Sequence, residues 1–109
     1  MNVGLDIDGT ITAEPEMFSI LSRGLKEKGH NVYILTFRHE EYRDSTEAEL
    51  KEMGIVHDGL YMGENIIDLA LKAKIAKELN LDILFEDNED VLRTMPKSVR
   101  CISVWPKQF

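Results

Sequence analysis

The sequence predicts an α/β fold, a Rossmann-like open parallel five-stranded sheet with helices on both faces and no cap domain. Three observations predict it. Apolar, β-forming runs alternate with amphipathic helical runs along the whole chain. The connections between them are short, as in a sheet where one helix serves each crossover. The 109 residues, 43% of them hydrophobic, are enough for a single domain over 1–109 with a modest core, and too few for a second domain or a large lid.

The elements follow in order. Val3, Leu5 and Ile7 make a strand over about Asn2–Ile7. Pro15 suits the first turn of a helix that runs to about Lys28, where Gly29 closes it. NVYILTF, residues 31–37, is the second strand. HEEYRDSTEAELKEMG is helical with Gly54 as its stop, and GLYM at 59–62 is a short third strand. A helix over about Ile66–Asn80 leads to LDILFEDN, the fourth strand. VRCISVW is the fifth, stopped by Pro106. No repeat or low-complexity stretch interrupts the pattern.

Composition excludes several functions. A formal charge of −7 argues against extended nucleic-acid binding, which needs a basic face, although the single end of a nucleic acid stays compatible with it. Cys101 is alone, so no intrachain disulfide forms. Its setting in VRCISVW reads as a buried small apolar residue in a reducing, cytoplasmic protein. Met1 leads straight into a strand and no long apolar segment follows, so neither secretion nor membrane insertion is expected.

The stretch DIDGT carries the first chemical signal. Asp6 and Asp8 share one face at a strand end, where two like charges repel unless a cation lies between them or one holds a proton. Ligands of open parallel sheets bind beyond the carboxyl ends of the strands, which places Asp6, Asp8, Thr36, Arg38, Glu86 and Asp87 along one edge. Such a hard-oxygen set suits Mg²⁺, and no His or Cys cluster competes for a softer metal. His30, His39 and His57 sit among charged loop positions and read as solvated. Blander readings stand beside these: Glu86 to Asp90 as a solvated acidic loop capping the next helix, and Arg38 either as a ligand for a substrate phosphate or as a surface partner of Glu40 or Glu41.

Taken together, DIDGT, the threonine of ILTFR, a lysine in the following helix and the acidic FEDN resemble the four motifs of the haloacid dehalogenase superfamily over nearly the whole chain. LTFR and the Tyr, Thr, Leu and Gly-Ile positions after it are similar to the deoxyribonucleotidase-like branch. Glu86–Asp87 stands where the family more usually has two aspartates. The resemblance implies a Mg²⁺-dependent phosphatase of phosphate monoesters: Asp6 attacks phosphorus to give an aspartyl-phosphate, and Asp8 protonates the leaving oxygen and then deprotonates water. It further implies Mg²⁺ held by Asp6, Asp8 through its carbonyl, and Asp87, with Glu86 orienting the shell and Thr36 bonded to a phosphoryl oxygen. A different-class alternative is a phosphate-binding or phospho-accepting regulatory module without rapid turnover.

Both gaps in which that family carries caps are filled here by helices of the core. An open site admits the phosphorylated end of a macromolecule, or a phosphorylated small molecule if a neighbouring subunit of a homo-oligomer covers it. The family lysine is Lys72 or Lys74. In LALKAKIAKEL, Leu69, Ala73, Ala76 and Leu79 form a stripe facing the sheet; Lys72 falls on it and Lys74 nearly opposite. A side chain leaning toward the helix N-terminus would carry the Lys72 ammonium to the carboxylates.

Overall fold

β-Branched and leucine-rich segments form the strands, and they lie where their alternation can bury two faces. In the computed structural model, which describes residues 1–64 and 68–106, these are β1 (Asn2–Leu5), β2 (Asn31–His39), β3 (Gly59–Gly63), β4 (Ile83–Glu86) and β5 (Arg100–Ser103). They make one open, all-parallel sheet in the order β3-β2-β1-β4-β5. The helices are α1 (Pro15–Glu27), α2 (Arg43–Glu52), α3 (Leu71–Glu78) and α4 (Glu89–Thr94). No helix among the described residues is long and apolar enough to cross a membrane.

The alternation sorts the core into two layers. On one face Val3, Leu5, Val32 and Ile34 pack with Phe18 of α1 and Leu50 of α2. On the other, Leu35 and Leu84 pack with Ile75 and Ala76 of α3, while Leu92 of α4 lies against them. Helices therefore cover both faces, and the chain changes side between β1 and β4. At such a switch point the loops after two neighbouring strands part and leave a crevice. The loops concerned are those after Leu5 and after Glu86.

Several boundaries differ from the sequence reading. β1 ends at Leu5 rather than Ile7, because residues 7–10 turn: the Thr10 and Thr12 N–H groups both bond the Ile7 carbonyl. β2 runs on to His39 past an irregularity in its pairing with β3. β4 stops at Glu86 because the Glu86 carboxylate takes the N–H groups of Asp87 and Asn88, and Asn88 then caps α4 by accepting from Asp90 and Val91. Of the blander reading of Glu86 to Asp90, the capping of the next helix is seen, at Asn88, whereas Glu86 is buried and not part of a solvated loop. The helix expected from Ile66 is seen from Leu71; residues 66 and 67 lie outside the described ones, and Leu69 is exposed.

Two residues were misplaced by the sequence reading. Cys101 is exposed, since β5 is an edge strand and all four of its residues are solvent-facing. His57 is not a solvated surface residue: it is largely buried, with Nε2 at 3.1 Å from Glu47 and Nδ1 without a partner among the described residues.

Candidate active site

Asp6 is the first residue past β1, and its N–H still bonds Phe85 of β4 at 3.0 Å, so the sheet itself fixes its backbone. Its side chain is buried and both oxygens are engaged. Oδ1 accepts from Lys72 Nζ at 2.8 Å, and Oδ2 accepts from the hydroxyl of Thr10 at 3.0 Å. Lys72 also donates to Glu86 Oε1 at 2.6 Å, and its ammonium lies 4.7 Å from the centre of the Phe37 ring. The helix face decides which lysine enters: Lys72 is 2% exposed, whereas Lys74 is solvent-facing.

Asp87 completes the cluster. Asp6, Glu86 and Asp87 each bring a carboxylate oxygen within 4.8 Å of the others. Gly9 makes room for this: its φ of 84° is left-handed, and a Cβ there would collide with the Asp87 carboxylate. Two buried carboxylates, Asp6 and Glu86, share one ammonium with the exposed Asp87 beside them, an excess of negative charge that burial makes costly. Burial pushes the Asp6 carboxyl up to about 8, against the pull of Lys72 and with the help of Glu86. The same excess favours a hard divalent cation, and an all-oxygen donor set is the kind that Mg²⁺ takes. Asp8 is not in the cluster.

Asp8 instead forms part of a second, outer network. The turn after β1 points its carboxylate at Arg38, which grips it through Nε at 3.0 Å and Nη2 at 2.8 Å. From behind, Glu49 of α2 accepts from Arg38 Nη1 at 2.6 Å. These hydrogen bonds hold the Asp8 carboxyl below its ordinary range. Arg38 therefore pairs with Asp8 and Glu49, not with Glu40 or Glu41; Glu40 pairs with Arg43. Thr36, buried within β2 three residues before its end, accepts the Arg38 N–H through its hydroxyl oxygen at 3.1 Å. Asp6, Thr36, Lys72, Glu86 and Asp87 all line one cavity of about 340 Å³, and Asp8 and Arg38 line it as well.

Sequence reasoning assigned no role to Thr10, Phe37 or Glu49. Thr10 had a legible signal, being four residues after Asp6 in a tight turn. Glu49 had none, since its meeting with Arg38 depends on how α2 docks.

No family model and no curated protein matches the chain. Among solved structures, 99% of it superposes on a chain of the Pnkp1/Rnl/Hen1 complex, with a TM-score of 0.79 and 21% identity. A chain of the Pnkp1/Rnl/Hen1 RNA repair complex is similar over the same share, with a TM-score of 0.74 and 22% identity. What is shared is the fold. The chain spans 47% and 43% of the length of those two chains, less than half of each.

These comparisons overturn the expected haloacid dehalogenase membership, because the neighbours are RNA repair complex chains and no family model matches. With it go the Mg²⁺-dependent phosphatase acting through an aspartyl-phosphate, and the phospho-accepting module that stood beside it. The geometry gives a physical counterpart to the correction. The expected acid, Asp8, is tied up by Arg38 and held ionised, and both oxygens of the expected nucleophile, Asp6, are bonded.

Proposed function

We propose that this domain is an enzyme unit that works on the phosphate-bearing end of an RNA strand, within a multi-protein RNA-repair assembly. The observation that carries the reading is the acidic crevice at the β1/β4 switch point, where Asp6 and Glu86 bracket the buried Lys72 and Asp87 brings a third carboxylate within 4.8 Å of theirs. The fold likeness to chains of RNA repair complexes supports its direction. A net charge of −7 accords with gripping one end of a strand rather than a length of it.

In this reading Asp6, Glu86 and Asp87 would hold Mg²⁺, which when bound offsets the negative charge of a phosphate entering between carboxylates. Lys72 bridges the Asp6 and Glu86 carboxylates, offsetting their repulsion, and supplies a fixed positive charge beneath the phosphate. Thr36 offers a hydroxyl to a phosphate oxygen. Arg38, braced by Glu49, presents a planar fork that can leave Asp8 for an incoming phosphate. The exposed Asp8 carboxylate then returns to water at little cost. The lone Cys101 accords with a reducing, cytoplasmic setting.

The test is to incubate the protein with RNA oligonucleotides ending in a 5′-phosphate, a 3′-phosphate or hydroxyls, with Mg²⁺ and with EDTA, and to weigh the products by mass spectrometry. A Mg²⁺-dependent change of mass at a phosphate-bearing end is expected, with hydroxyl-ended strands untouched. Lys72→Ala should reduce the rate by about a hundredfold or more. If every RNA end survives unchanged, the reading is wrong.

A further inference from the structure

Beside the acidic cavity lies a groove that the chemistry above does not use. It has a volume of about 600 Å³, is lined by Ala13, Glu14, Val104, Trp105 and Pro106, and shares Asp87 with the cavity. Its floor is tied to the site by backbone: the Val104 N–H bonds the carbonyl of Glu86 at 3.0 Å. Trp105, the only tryptophan, follows at once and is 68% exposed. An indole left this open beside a functional cavity offers a π-face to a flat ligand.

The groove's charge narrows the choice of ligand. Glu14 and Asp87 line it, so a phosphate or an anionic surface is disfavoured there, while a neutral ring that donates hydrogen bonds is favoured. Glu14 is free for that task. It stands at the N-cap of α1, yet its side chain caps nothing, and it has no ion-pair partner among the described residues. Carboxylates accept well from the exocyclic amino groups of bases.

We infer that this groove is the base subsite for the terminal nucleotide of the strand: the base stacks on Trp105, and its amino group donates to Glu14. The inference rests on the RNA-end reading. It adds a preference that the cavity alone cannot supply, for adenine, cytosine or guanine over uracil, which has no exocyclic amino group.

The single tryptophan provides the measurement. Phosphate-ended RNA tetranucleotides with adenine, uracil or an abasic residue at the terminal position are titrated into the protein, with tryptophan fluorescence and calorimetric binding followed in parallel. The adenine strand should quench Trp105 and the abasic strand should not. Trp105→Ala should weaken adenine-strand binding by about tenfold, with Trp105→Phe retaining most of it. Glu14→Gln should shrink the preference of adenine over uracil while leaving the quenching in place.

Strands that bind without quenching, with Trp105→Ala binding like the parent, would overturn the subsite and leave the RNA-end reading standing. Absence of binding to any strand would overturn both. A fluorescence change that follows protein concentration instead of RNA would make Trp105 a protein contact and overturn the subsite.

Discussion

The same composition occurs twice at this rim, one basic side chain between two carboxylates, and the two copies behave differently. In the inner one, Lys72 joins Asp6 and Glu86 with every partner nearly inaccessible to water. In the outer one, Arg38 joins Asp8 and Glu49 with the carboxylates largely solvated. The inner charges are held by necessity, because each would otherwise be stranded in a medium of low dielectric constant. The outer ones are held by convenience, since water can replace any of them. Burial, more than residue identity, separates a fixed electrostatic frame from an exchangeable clasp.

Removing the two cations in turn should break this comparison open. Lys72→Met leaves the buried Glu86 carboxylate without its countercharge and should cost about 3–5 kcal/mol of stability in urea unfolding. A loss below about 1 kcal/mol would show that the frame is not needed for folding. Millimolar Mg²⁺ should restore part of that loss if the three carboxylates bind it, and a metal-blind unfolding curve would count against them as ligands.

Proton uptake sharpens the contrast and gives an intermediate effect. Asp6 titrates near 8 in the folded protein against 3.8 unfolded, so its share of stability is complete below about pH 4 and is lost as pH rises toward 8. In EDTA, the melting temperature should therefore drop across that window, and Asp6→Asn should flatten the slope. An unchanged slope in the variant would mean that Asp6 is not the titrating group. Asp8 runs the other way: its folded value is depressed, so its contribution is present above about pH 4 and disappears as acid protonates it.

The smallest effect belongs to the outer network. Arg38→Ala should cost less than about 1 kcal/mol, and the cost should fade with added salt. An Arg38→Ala loss as large as that of Lys72→Met would show that the buried and the solvated networks hold the fold alike.

The sequence showed some of this plainly. Strand and helix alternation is written in the periodicity, Asp6 follows from an apolar strand ending in a carboxylate, and the choice of Lys72 over Lys74 follows from the stripe of Leu69, Ala73, Ala76 and Leu79, of which the two alanines are buried beside Lys72 and Leu69 is exposed. Other features depend on distances in space. Cys101 was misread because the same apolar run suits a central or an edge strand, and only the strand order decides. Glu86 was hard to place because its carboxylate could equally have met water; the fold turned it to Lys72 and two backbone N–H groups. Function was the least legible. A rim of carboxylates, a lysine and a threonine is a phosphate-handling chemistry that unrelated activities share.

Because β1 sits in the middle of the sheet, between β2 and β4, the first strand of this domain to be synthesised is among the last to gain both neighbours. Leu5 pairs with Ile34 on one side and Phe85 on the other, so one flank waits for roughly 80 further residues, about 4–16 seconds of translation. Through that interval the growing chain carries a half-finished sheet with an open edge at its centre. A nascent chain that has not yet released β4 exposes along one flank the strand that the finished sheet protects most.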